Sequence, residues 1–477
     1  VRLRFALLGL ELKLLFLLLA EILLLTPVAV IILPTLPLYF AFVHWVGDGS
    51  YYPPFCIGLI ALTFALRLHQ AGPDTANDKP IAADACVPRQ TKQAVDELAR
   101  GLGFRAPKDW RFVLSPVVWR PFGCDLSESF HRNTIVVPLG CLETWSVTAF
   151  KCFLAHTKLR RRPPRRLFLA AGQSVARLEP LARRTDLKGS KRAQAFVGAY
   201  RKALIHWHFL ADVGADAKLA RHFGPLTVSA WIESCQLAWL GVPVCLRSVI
   251  EPAAKQGVLI PVSPACGVWQ SLLEPTLRSS LEEARRAARR AAPGAPIGTE
   301  LLRTTLLEQM PARPESHDPR NASTLFSNLD RAEEFAVRNE LGLPAETPLR
   351  RAAIGEFGAL VVMPQMREEV QRNADLLRGR SIVELPAMAK EISTLAREYV
   401  APSGTLPDAA TRTGLAKNLL VAWLAVELCE RGWAVRFDIE QGLSLARGQR
   451  TVRPHEILTA LERGEEVPDL AALLASD

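Results

Sequence analysis

The sequence predicts an α+β chain, mainly helical, in three parts: a membrane anchor over residues 1–70, a mixed domain over 71–374 and a small α+β module over 375–477. Three observations carry this. Ile22 to Val46 runs for 25 residues without Asp, Glu, Lys or Arg, enough to cross a bilayer core of about 30 Å. Helical periodicity dominates the middle of the chain, broken by two stretches rich in Val, Ile and aromatics. After residue 375, a long apolar helix is followed by alternating residues and a tight turn. With 477 residues, the chain can bury two or three cores.

In order along the chain, Pro27, Pro34 and Pro37 kink the first apolar run, which membrane helices tolerate. Tyr51 to Leu66 is a second uncharged run of 16 residues, read as a second crossing, with a re-entrant or interfacial segment as the alternative. Ala71 to Ala85 is a polar linker. Arg89 to Leu102 is a helix closed by Gly101 and Gly103. Trp110 to Trp119 and Thr134 to Leu139 are strands. A helix follows from Val147 to about Arg161, with Ser146 as N-cap and Pro163-Pro164 as its stop. Ala195 to Leu246 is largely helical, and Ser280 to Ala292 is an exposed helix with Glu282-Glu283 ahead of Arg285-Arg286. In the tail, Arg378 to Tyr399 is helical and Ala409 to Leu428 is a buried core helix rather than a third span. Trp433 to Ile439 is a strand, Arg447-Gly448 turns a hairpin, and Pro454 opens a last helix.

Charge locates the partners. Arg2, Arg4 and Lys13 precede the first span and Arg67 follows the second, so positive-inside logic puts both ends in the cytoplasm of a cell (inner or plasma) membrane. Nine scattered cysteines without a Cys-x-x-Cys pair read as reduced thiols. Of the formal net charge of +10, more than all is found between Lys158 and Lys202, where fourteen Lys and Arg face only Glu179 and Asp186. That run lacks interleaved aromatics, which argues against nucleic acid; anionic headgroups of the lipid bilayer are the expected partner, a plain solvated face the alternative.

The chemistry turns on Phe-Leu-Ala-His156-Thr157-Lys-Leu-Arg160. A zinc-protease helix carries His-Glu-x-x-His, with two ligands one turn apart and a Glu base between them. Here His156 is kept, Thr157 stands at the general-base position and Arg160 at the second ligand. Arginine stays protonated and has no lone pair to offer a metal.

The flanks carry a resemblance. Asn133 to Ser146 reads as strand, loop and capped helix leading into His156. Asp212-Val-Gly-Ala-Asp216 precedes Gly224-Pro225, and Glu315-Ser-His317-Asp-Pro319 precedes Leu325 and Leu329. In this order the chain, over about residues 10 to 335, resembles the HtpX-like and CAAX-prenyl-protease-like membrane zinc metallopeptidases. The resemblance implies a zincin-like peptidase domain over 71–374. It also implies Asp212 at the place of the third ligand, a Glu in the family, and Asp216 as the partner of a ligand His. With the base and one ligand replaced, no zinc or other cofactor is expected, and the chain reads as an inactive homologue with a binding or regulatory role. An Arg160–Asp212 ion pair is expected to clamp the helices that zinc would otherwise join. Two alternatives stay open: an active enzyme recruiting His131, His206 or His208, and an unrelated membrane-associated scaffold.

Overall fold

The computed structural model describes residues 2–25, 86–114, 134–160, 165–183, 190–290, 296–311, 317–344, 346–399, 408–439, 441–465, 467 and 470–474. Most of the expected anchor (the Ile22 to Val46 run beyond residue 25, and Tyr51 to Leu66) lies outside them, as do the 71–85 linker, the Ser115 to Trp119 part of the first expected strand, and His131. Helix predominates. In chain order the elements are α1 (Arg2–Leu25), α2 (Arg89–Leu102), β1 (Asp109–Val113), β2 (Thr134–Pro138), α3 (Val147–Leu159), α4 (Arg165–Arg183), α5 (Ser190–Phe223) and α6 (Pro225–Cys245). There follow α7 (Glu251–Lys255), β3 (Val258–Leu259), α8 (Val262–Arg290), α9 (Pro296–Glu308), α10 (Leu329–Leu341) and β4 (Arg350–Arg351). Further on come α11 (Met363–Arg372), α12 (Leu385–Lys390), α13 (Ile392–Glu398), α14 (Ala409–Glu430), β5 (Ala434–Asp438), β6 (Gly442–Arg447), β7 (Arg450–Val452), α15 (Pro454–Arg463) and a final short helix, α16 (Leu470–Leu474).

The chain forms two compact units. The first comprises Val1–Trp239 and Pro275–Ala332, the second Leu240–Glu274 and Glu333–Asp477. The expected boundary at residue 374 falls inside the second unit, because Met363 of α11 joins the core built around α14, with Met366 and Val370 packed against it.

In the first unit, α2 buries Thr91, Val95, Leu98 and Ala99, the spacing of one helical face, and stops at Gly103, whose φ of 70° no β-carbon would favour. β1 and β2 pair in parallel from Asp109↔Thr134 to Val113↔Pro138. The loop then delivers Ser146, whose hydroxyl accepts from Ala149 N at 3.0 Å and starts α3. α3 is buried on nearly every side, through Val147, Phe150, Phe153, Leu154 and His156, so it is the central helix here. Residues 318–322 lie across its start: Val147 N donates to Arg320 O at 2.7 Å, and Ala322 N to Trp145 O at 2.8 Å. Gly224 (φ 91°) breaks the chain between α5 and α6, and Pro225 opens the next helix. α1 packs on α4 and α5 through Leu7, Leu14 and Leu18, against Phe168, Tyr200 and Trp207.

The second unit surrounds α14, capped by Asp408, whose carboxylate accepts from Thr411 N at 3.0 Å. Leu419, Leu420 and Leu428 are fully buried with Leu385 and Leu445, so α14 is a core helix here. β5, β6 and β7 form a small antiparallel sheet. Gly448, at φ 58°, occupies the first position of the two-residue β6–β7 loop, where a type II′ turn demands it. Among the described residues, one helical run is long and apolar enough to cross a membrane by length and composition: Pro225–Lys255, 31 residues, with an 18-residue window of mean hydropathy 1.3.

Candidate functional site

Three helices of the first unit converge on one polar cluster. α3 places His156, and Arg160 caps the C-terminal end of that helix one turn later, its N–H donating to His156 O. α5 places His208, Asp212 and Asp216 at i, i+4 and i+8, hence on one face. α9 adds Arg303, whose side chain is fully buried.

The charges alternate along the seam. Arg160 Nε lies 2.6 Å from Asp212 Oδ1, and Arg160 Nη2 lies 2.6 Å from His208 Nδ1. His156 Nε2 sits 3.4 Å from Asp216 Oδ1 and 3.7 Å from Asp212 Oδ1. Arg303 grips Asp216 with two parallel bonds, Nε to Oδ2 at 2.6 Å and Nη2 to Oδ1 at 2.9 Å. The same Nη2 is 3.3 Å from His156 Nε2, and Nη1 is 3.9 Å from Asp212 Oδ2. The contact between Arg160 and Asp212 is an ion pair without hydrogen-bond alignment, since Arg160 Nε is buried and meets no acceptor at a suitable angle. Two carboxylates thus face two guanidiniums, and the formal charges cancel.

Protonation follows from these contacts. Burial would raise the Asp216 carboxyl, but Arg303 and His156 outweigh it and hold it down at about 2. Desolvation, reinforced by Arg160, presses His208 down to about 3 against the pull of Asp212. Its ring packs edge-on to Phe168 and Trp207. His208 is therefore neutral near pH 7, and because arginine only donates, its Nδ1 accepts and its proton sits on Nε2. The His156 ring tilts against Trp231 of α6, with centroids 5.1 Å apart.

Thr157 is turned away from chemistry: its hydroxyl donates to Phe153 O at 2.9 Å, one turn back in α3. His206 is exposed, and so is His317. Among the described residues no group of three or more His, Cys, Asp or Glu side chains is arranged to hold a metal ion. The donor set does not suit zinc either. A cation already stands beside each carboxylate, and the position one turn after His156 holds a guanidinium rather than a lone pair.

The structure thus joins His156, Arg160, Asp212 and Asp216, adds His208, and leaves Thr157 aside. Sequence reasoning missed Arg303. Its signal was a lone cation within Leu301-Leu302-Arg303-Thr-Thr-Leu306-Leu307, at helical spacing from Leu307, which is also buried. A charge on the apolar face of a helix calls for a buried partner. No protein-family model, no curated protein and no solved structure matches this chain.

Proposed function

We propose that this chain is a membrane-anchored pseudopeptidase of the HtpX-like and CAAX-prenyl-protease-like kind, with its soluble part in the cytoplasm and a binding or regulatory role instead of hydrolysis. The observation that carries this reading is the pair of guanidiniums beside the two carboxylates of α5. In a zinc peptidase, a metal joins the His-bearing helix to the carboxylate-bearing one and activates water. Here Arg160 and Arg303 bridge the same kinds of group, and neither can polarise a water nucleophile as a metal does. The scaffold keeps its helix-to-helix bond and gives up the open coordination position.

Recruitment of His208 as a replacement ligand is disfavoured, because its Nδ1 is engaged by Arg160 and its Nε2 carries the proton. The cation-rich surface of α4 and α5, with Lys191, Arg192 and Lys202 exposed, suits anionic headgroups. The test is elemental analysis and peptide hydrolysis on the purified full chain. The expected result is less than a tenth of a zinc per chain, by order of magnitude, and no chelator-sensitive cleavage. About one zinc per chain together with such cleavage would overturn the proposal.

A further inference from the structure

α1 carries its carboxylates on the inside. Glu21 is fully buried and accepts from Tyr200 Oη at 2.8 Å and from Arg177. Glu11 accepts from Trp207 Nε1 at 3.1 Å. Both partners belong to the helices that α1 packs against. Phe5, Leu8, Leu12, Leu15 and Phe16 are exposed, Phe5 and Phe16 by 68% and 67%. At 100° per residue these five fall within about a third of the helix circumference, opposite Leu7, Leu14 and Leu18. A water-facing helix has the reverse pattern, with acids outward and large apolar side chains inward. An apolar stripe of this size marks a binding surface.

We infer that α1 lies in the plane of a membrane interface, with the Phe5–Leu12–Phe16 face in the acyl region and α4 and α5 on its water side. Three observations select lipid as the occupant. The chain leaves α1 directly into the uncharged run that ends at Val46, so the membrane-seeking sequence begins where this face ends. The two helices behind α1 belong to the basic stretch of the chain and leave Lys191, Arg192 and Lys202 exposed, as anionic headgroups would select. The carboxylates of α1, which those headgroups would repel, are the groups turned inward.

Lying flat, not crossing, follows from Lys13. It is exposed at the middle of the 24-residue helix, where a crossing orientation would place its ammonium near the bilayer centre. Flat in the interface, Lys13 lies about 60° around the helix from the stripe, and its stem can carry the charge up to the headgroups. Gly214 of α5 supports the rigid seating of α1: a β-carbon there would come 2.8 Å from Leu3 Cδ2. This inference rests on the membrane reading above but not on the chemistry at His156. Its failure leaves the zinc and hydrolysis test untouched.

The test places spin labels on Phe5→Cys, Leu12→Cys and Phe16→Cys of the full chain, reconstituted in vesicles of equal parts phosphatidylcholine and phosphatidylglycerol. The signal of native cysteines is subtracted using the unsubstituted chain. Because these positions are exposed, the labels leave the helix packing intact, which circular dichroism checks. All three labels should be accessible to oxygen and shielded from a nickel chelate, with Phe5 and Phe16 at equal depth. A crossing helix would separate those two depths by about 16 Å, at 1.5 Å per residue, and would overturn the inference. Nickel accessibility at all three sites would also overturn it, and so would label–label broadening between copies, which would assign the face to a second chain.

Discussion

Replacing Arg303 by Met keeps the volume and apolar stem of the side chain while removing the charge that compensates Asp216. Asp216 is held at about 2 against an ordinary 3.8, a gap that corresponds to about 2 kcal/mol of stability near neutral pH. Its folded-state value is depressed, so this contribution is present above pH 3.8 and is lost as pH falls from there through about 2. The substitution strands a carboxylate that is only 4% exposed, and breaking such a buried pair costs about 3–5 kcal/mol. The pH response should also reverse. Burial, the largest influence on Asp216, then pushes its carboxyl up, so mild acidification neutralises it and restores stability. Chemical denaturation of the detergent-solubilised full chain, followed by circular dichroism between pH 7 and pH 4, reads both effects. Adding Asp216→Leu should recover much of the loss, since no orphan charge remains. A cost below about 1 kcal/mol for Arg303→Met, or a pH slope like that of the parent chain, would refute the assignment of Arg303 as the buried counter-ion.

Arg160→Ala and Asp212→Ala should each destabilise by about 1–3 kcal/mol, less than the interior pair because Arg160 is a quarter exposed, and the double change should cost clearly less than their sum in the same denaturation assay. His208 is neutral when folded, with its value at about 3 against an ordinary 6.5, so the unfolded chain takes up a proton first. Stability should therefore fall as pH drops from about 6.5 towards 3, and His208→Gln, which keeps an acceptor for Arg160, should flatten that slope. Restoring the zinc motif with Thr157→Glu, Arg160→His and Asp212→Glu should yield zinc binding by calorimetry only when Arg303 is also replaced by Leu, because its guanidinium otherwise stands 3.3 Å from His156 Nε2.

The local elements were legible wherever a short-range rule decides them. Ser146 as an N-cap, Gly103 as a stop and the Gly448 turn all act within a few residues, and each appears where its side chain or backbone demands. The burial of Ala409–Glu430 could be read because its neighbours in the chain are polar and strand-forming. Four of the six residues of the candidate site were legible too: His156 and Arg160 share a helical face by spacing alone, and so do Asp212 and Asp216. Arg303 was not, because its partner lies 87 positions earlier and nothing local in α9 identifies which carboxylate it will meet. The inward turn of Glu11 and Glu21 was hidden for the same reason. Tyr200 and Trp207, which receive them, are 179 and 196 positions away. The grouping of residues 333–374 with the tail likewise depends on side chains such as Met363 finding a distant core.

The distance between Asp216 and Arg303 also sets a timetable. On a ribosome adding roughly 5–20 residues per second, the 87 residues between them take about 4–17 s to appear. Throughout that interval α3 and α5 have been synthesised, while the cation that neutralises the inner carboxylate has not. Tight docking of the two helices before α9 appears would bury an uncompensated charge, so the expectation is that the first unit reaches its packed form only after the chain has passed residue 303.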